Sequence, residues 1–137
     1  MTPFTPVVLD TDILSAVMRQ QPVVAAKAGD YLRIHGQFTF SIITRYEILR
    51  GLKAKRATTQ VVAFDRFCTA NRILALSDAI ILQAAEIYAD LYRRGELIGD
   101  ADILIAASAI VHGFVVSTNN ESHFGRIRGL RVENWLT

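Results

Sequence analysis

The sequence predicts an α/β protein of three layers, with a mostly parallel central sheet covered by helices on both faces and residues 1–137 forming one domain. Two observations predict it. Short apolar runs alternate with longer stretches of helical period, and no Gly/Ser/Pro-rich linker, repeat or low-complexity segment divides the chain. The chain has 137 residues, 51% of them apolar, so it can bury roughly two-thirds of the surface its unfolded form exposes.

Val7-Val8-Leu9 is fit for a buried strand, and Asp10-Thr11-Asp12 leads into an amphipathic helix from Ile13 to Arg19, stopped by Pro22. Val23 to Ile34 reads as a helix ending at Gly36, and Phe38 to Ile42 as a strand. Ile43 to Lys55 and Thr58 to Ala70 are helical in pattern, and Ile73 to Leu76 is a third strand. Ser77 is an N-cap for a helix that runs to Arg94 and stops at Gly95. Asp78 in its first turn and Arg93-Arg94 in its last complement the helix dipole. Asp102 to His112 is apolar all round, which predicts burial, and Gly113 ends it. Phe114 to Ser117 is the next strand, and Leu130 to Trp135 a short last one, with Trp135 as a core plug.

The single cysteine, Cys68, lies among Val61, Val62, Phe64 and Phe67. It can form no internal disulfide, which fits a reducing compartment, and its neighbours predict a core residue with a raised thiol pKa. Met1 to Pro6 has no basic n-region or long apolar stretch, so no signal peptide is expected. The longest oily run, Ile103 to Val116, is interrupted by Ser108, His112 and Gly113 and falls short of the roughly 20 residues that cross a bilayer. A soluble, cytoplasmic protein without membrane contact is expected.

Net charge is only +2, but its distribution is uneven. Arg45, Arg50, Lys53, Lys55 and Arg56 face one acid, Glu47. Near the C-terminus Arg126, Arg128 and Arg131 face Glu133. On charge alone the basic ends read first as two solvated faces; around an acidic middle they also suit a site with metal at its centre and a polyanion along its rim.

In parallel sheets the working site lies beyond the carboxyl ends of the strands. That rule singles out Asp10, Asp12 and Thr118-Asn119-Asn120, each directly after a strand. A carboxylate leaving water at Asp10 costs several kcal/mol unless a cation or donors compensate it. Asp12 is expected to cap the helix, leaving Asp10 free for function. Asp102 opens the oiliest helix with Asp100 two residues before it, more acid than capping requires; Asp100 is expected as the cap or as support. Glu47 is the one acid of a basic helix, either paired with Arg50 or functional. Gly51, on its face, suggests close approach of a backbone or ligand. Asn119-Asn120 is either a plain turn, since Asn tolerates left-handed backbone, or places an amide oxygen beside the metal, whereas His123 is expected to be a loop residue packing near Phe124. With oxygen donors, no Cys/His cluster and no Gly-rich phosphate loop, the residues call for a hard cation, Mg²⁺ or Mn²⁺. Magnesium held by carboxylates suits phosphodiester hydrolysis.

Four segments carry a family resemblance: Leu9-Asp10-Thr11-Asp12-Ile13-Leu14; Ser41 to Gly51 around Glu47; Ile98-Gly99-Asp100-Ala101-Asp102 to Ala107; and Ser117-Thr118-Asn119-Asn120 to Phe124, followed by Arg128-Gly129-Leu130 and Glu133-Asn134-Trp135. Together they cover nearly the whole chain. In this order they resemble the PIN-domain ribonucleases of the VapC toxin type. The resemblance implies a magnesium-dependent endoribonuclease, toxic when free, neutralised by a cognate antitoxin protein and assembled as a homodimer. It implies Asp10 and Asp102 as principal metal ligands, Glu47 completing the acidic cluster, and Asn120 as a further catalytic position. Asn120 stands where the family often has Asp, with Glu121 adjacent, and Asp12 where it often has Asn. One charge fewer favours a single metal over a pair.

Two other classes remain open on the residues alone. A strand ending in Asp-x-Asp also opens dehalogenase-type phosphotransferases, and acidic clusters mark phosphoacceptor receiver domains. Both use a lysine late in the chain, whereas the lysines here are Lys27, Lys53 and Lys55. A non-catalytic binding module is the third reading.

Overall fold

The computed structural model describes residues 5–137; the reading of the first four residues lies outside the described residues. In chain order the elements are β1 (Val7–Leu9), α1 (Thr11–Met18), α2 (Pro22–His35), β2 (Thr39–Ser41), α3 (Ile42–Ala54), α4 (Thr58–Ala70), β3 (Arg72–Leu74), α5 (Asp78–Arg93), α6 (Asp100–His112), β4 (Val115–Ser117), α7 (Glu121–Phe124) and β5 (Val132–Glu133). The five strands form one sheet in the order β3-β2-β1-β4-β5, and every pairing is parallel. The expected three-layer α/β architecture is what the chain adopts.

Alternation along the strands divides the core. Val7, Leu9, Phe40 and Val115 face one side, where α1, α2, α3 and α4 contribute Ile13, Val24, Tyr31, Ile48, Phe64 and Cys68. Val8, Leu74 and Val116 face the other, against Ile80, Ile87 and Leu91 of α5 and Ile103, Ile105 and Ala106 of α6. Strands buried on both faces must be apolar at consecutive positions, which is why β1 and β4 read as unbroken runs. Trp135 is 5% exposed in the first cluster, as expected, and burial raises the Cys68 thiol pKa.

Several boundaries differ. β3 stops at Leu74, because Ala75 and Leu76 turn outward to reach Ser77, whose side chain caps α5. β5 is two residues long, since Gly129 (φ 82°) delays its start and Asn134 turns its side chain inward. Asn119 and Asn120 lie at a bend after β4, and Glu121–Phe124, which includes His123, is a short helix and not a loop. Among the described residues no helix is long and apolar enough to cross a membrane.

Candidate active site

β1 lies between β2 and β4, and the chain leaves β1 toward β2 but returns through α6 to β4 on the opposite flank. Sheets open a crevice at such a reversal, at the carboxyl ends of the two strands. Leu9 pairs with Ser117 there, and the Asp10 N–H donates to the Ser117 carbonyl at 2.9 Å. α1 and α3 follow their strands directly, so their N-termini point at this edge. α6 runs into β4 through Gly113 (φ 73°), opposite in direction to the strands, which brings its N-terminus to the same edge.

Asp10 is 6% exposed. Its Oδ1 accepts the Thr11 N–H at 2.8 Å, and its Oδ2 accepts the Thr118 hydroxyl at 2.8 Å. Asp10 is therefore the N-cap of α1, not Asp12 as expected. The helix starts two residues earlier than its apolar pattern suggests, so the last extended residue is Asp10 and Asp12 falls inside the first turn. Asp12 accepts the Ile13 N–H through Oδ1 (2.7 Å) and the Asn119 N–H through Oδ2 (3.0 Å), fastening α1 to the loop after β4.

Burial, then the neighbouring charge of Asp12, pushes the Asp10 carboxyl up to about 7; the Thr118 and Thr11 hydrogen bonds oppose this, and Asp102 adds a further upward push. Asp12 is raised too, chiefly by burial, with Asp102 again adding to it. Asp10 and Asp12, two residues apart, thus share one electrostatic environment with Asp102 from a distant part of the chain. Asp102 is half-buried in the first turn of α6. Gly99 occupies the cap position without a side-chain bond, so the expectation of Asp100 as cap is corrected; Asp100 lies exposed as the first helical residue.

Glu47 joins from α3. Its Oε1 accepts the Thr11 hydroxyl at 2.7 Å, which is also 3.1 Å from the Thr44 hydroxyl, and its Oε2 lies 3.7 Å from the Arg50 guanidinium. Glu47 is thereby seated one residue from Asp10, and the Arg50 pair exists as well. The close approach expected at Gly51 is not found: a methyl there would meet no atom within 4 Å. Gly51 instead lines an open groove of about 720 Å³ between α1, α3 and α4, walled by Ile48, Leu52, Phe64 and Phe67.

Asn120 heads α7 without capping it. Its Nδ2 lies 2.7 Å from Nδ1 of His123, and that nitrogen is 3.3 Å from Oδ2 of Asp102. His123 therefore lies in α7 against Asp102 of the candidate site, and not in a loop as expected. The Asn120–His123 spacing of three, one helical turn, was the signal that could have revealed it. Asn134 is a second residue the sequence did not single out. It is 8% exposed and donates to Asn119 Oδ1 and Glu121 Oε2, both at 3.1 Å, holding the loop that carries Asn120. Glu121 is turned toward Asn134.

Among the described residues no three Asp, Glu, His or Cys side chains close up into a finished metal cage. The Asp10 oxygens rest on the Thr11 N–H and the Thr118 hydroxyl, and neither donor is a cation. The donor set still fits a hard divalent ion: carboxylates, hydroxyls and amides predominate, and a cation would offset the burial and mutual repulsion that raise Asp10.

Fold and site define a class: a three-layer parallel α/β protein with an acidic centre at its topological switch point. The chain belongs to the PIN-domain family, whose model matches residues 7–130. It is 33% identical over 135 residues to the VapC ribonuclease Y4jK of Sinorhizobium fredii, covering 93% of this chain and 96% of that one. It is 34% identical over 99 residues to ribonuclease VapC1 of Methanocaldococcus jannaschii, 71% of each chain. Among solved structures, the VapBC2 complex of Rickettsia felis bound to a promoter DNA fragment superposes with a TM-score of 0.83 at 27% identity, covering 94% of this chain and 98% of that one.

Proposed function

We propose that this chain is a single-domain, cytoplasmic, divalent-metal-dependent endoribonuclease, the toxin of a toxin–antitoxin pair, with Mg²⁺ as its ion and Mn²⁺ as a substitute. The observation that carries the reading is the placement of buried Asp10 with Asp12 and Asp102 at the switch point, where Asp102 adds to the burial that raises both of the other carboxyls. Asp10, Asp102 and Glu47 would hold the metal, with Asp12 supporting the loop after β4. When bound, the ion neutralises charge on the phosphate and makes water more acidic. Glu47 orients the attacking water and takes its proton at Oε2, the oxygen not occupied by Thr11. Asn120 acts through His123, which holds Asp102. Arg50, Lys53 and Lys55 on and after α3 contact the RNA backbone.

The groove between α1, α3 and α4 opens beside Thr11 and Glu47. An antitoxin segment laying apolar side chains there would block the site, so the cognate antitoxin is assigned to it. On the far side, Ile81, Tyr88 and Tyr92 form an exposed stripe along α5, and a second copy of the chain is assigned to that face. Purified protein incubated with total RNA, with Mg²⁺ or with EDTA, tests the activity, and mapping of the ends locates the cut. Equal cleavage with EDTA, or none with metal, would overturn it.

A further inference from the structure

Tyr46 is 59% exposed on α3, one residue before Glu47, and the Arg50 guanidinium carbon lies 5.2 Å from the centre of its ring. Arg50 is also 3.7 Å from Oε2 of Glu47. Glu47, Arg50 and Tyr46 therefore form a continuous line that starts at the acidic centre and leads outward. Helical geometry accounts for it. Thr44 and Ile48 face the core. At 3.6 residues per turn the rim beyond Glu47 is taken next by Arg50, one turn on, and then by Tyr46, four residues before Arg50.

We infer that Tyr46 and Arg50 form a stacking ledge for one unpaired base of the RNA, next to the nucleotide that is cut. This rests on the ribonuclease reading and deepens it. A tyrosine standing in water without a packing role leaves apolar ring area wet. Here one face of the ring meets a guanidinium, and among the described residues that is its one recorded ring or cation contact. A planar cation stacked on an aromatic ring is the surface on which proteins seat single-stranded bases, and every base has a face to offer it. The charge around the ring selects a polyanion over an apolar partner: Arg45, Arg50, Lys53 and Lys55 lie on or just after this helix, and Glu47 is its single acid. A phosphate brought to Glu47 has its neighbouring nucleotide within reach of the ring, while Lys53, one further turn along, suits the next phosphate.

The test uses Asp102→Asn protein, so that RNA is bound and not cut, with a short single-stranded RNA containing the mapped site. Affinity is read by fluorescence anisotropy for the parent, Tyr46→Ala and Tyr46→Phe, each with the intact RNA and with RNAs abasic at one position flanking the cut. Tyr46→Ala is expected to weaken binding about tenfold and Tyr46→Phe to change it little, because the ring rather than the hydroxyl stacks. One abasic position should cost the parent a similar factor and cost Tyr46→Ala almost nothing more. Binding by Tyr46→Ala equal to the parent, or abasic losses undiminished in that variant at every position, would overturn the ledge. Unchanged RNA binding with loss of the copurifying antitoxin would overturn it too, by assigning the face to protein. Wild-type chain that cuts RNA with metal, yet shows no such coupling, leaves the nuclease reading standing while the ledge falls; failure to cut at all removes both.

Discussion

Nδ1 of His123 stands 3.3 Å from Oδ2 of Asp102 and 2.7 Å from the side-chain amide of Asn120. A neutral imidazole nitrogen either donates or accepts, so it cannot accept from an amide N–H and donate to a carboxylate at once. Both contacts are satisfied when Nδ1 carries the proton and Asn120 presents its amide oxygen. The opposite tautomer sets a lone pair against the Asp102 carboxylate. In the favourable arrangement His123 fixes the carboxylate's orientation, as partners one step behind metal ligands commonly do. His123→Ala is expected to lower divalent-ion affinity and cleavage by about 10- to 100-fold. His123→Gln, which keeps an N–H donor, should recover part of the loss. Calorimetric titration with Mg²⁺ or Mn²⁺ and single-turnover cleavage measure the two quantities. Unchanged values for His123→Ala would remove this residue from the mechanism.

Asp102→Asn removes a negative charge from the first turn of α6 without changing volume. The side chain is 24% exposed and its one recorded contact is with His123, so the fold should persist. Loss of a charge contributing several kcal/mol to metal and transition-state binding should slow cleavage on the order of a thousandfold. Circular dichroism checks the first statement, and cleavage rates the second. Full activity would refute the assignment of Asp102.

The raised pKa of Asp10, about 7 against an ordinary 3.8, makes the metal-free protein sensitive to pH in a definite direction. Between those values the folded chain holds a proton that the unfolded chain has released. Stability therefore falls as pH rises through this window, by on the order of 4 kcal/mol if Asp10 acts alone. The raised Asp12 works in the same sense. The protein in EDTA should melt at a lower temperature at pH 8 than at pH 5. Asp10→Asn should flatten that difference and raise the melting temperature at pH 8, trading activity for stability. Divalent ions should help the wild type most at high pH. A melting temperature that climbs from pH 5 to pH 8 in EDTA would contradict the burial argument.

Much of the fold was legible because the buried strands and the helix breaks leave local marks. Val7 to Leu9 is apolar throughout and Val115 to Ser117 at every position but the last, and Gly36, Gly95 and Gly113 end helices with positive φ. Asp10, Glu47 and Asp102 were singled out by the rule about strand ends and by family motifs, and the structure places Asp10 and Asp102 at one edge with Glu47 on Thr11. What the sequence hid was which oxygen each donor satisfies. Whether Asp10 or Asp12 caps α1 depends on where the backbone leaves the strand, which the apolar period does not mark. His123 and Asn134 were hidden for another reason. Their partners, Asp102 and Asn119, lie 21 and 15 residues away, and such pairings are set by the packing of α7 and β5.

Arg126 should separate cleanly from the lysines that follow Glu47 by salt dependence. Arg126 does not reach toward solvent phosphate: its guanidinium donates to the carbonyls of Glu96 (3.3 Å) and Leu97 (3.4 Å), and its own carbonyl accepts from Arg94 at 2.6 Å. These bonds hold the turn between α5 and α6, and so the start of the helix that carries Asp102. Lys53 and Lys55, by contrast, are exposed. For single strands, log affinity falls with log salt by about 0.7 per phosphate neutralised. Lys53→Ala and Lys55→Ala should each lower that slope by up to about 0.7 while leaving the melting temperature nearly unchanged. Arg126→Ala should leave the slope intact and cost roughly 1–3 kcal/mol of stability through unsatisfied carbonyls. Binding of an RNA oligonucleotide by Asp102→Asn protein at several salt concentrations, beside thermal melts, separates the two roles. A reduced slope with an unaltered melt in Arg126→Ala would move this arginine from the scaffold to the RNA surface.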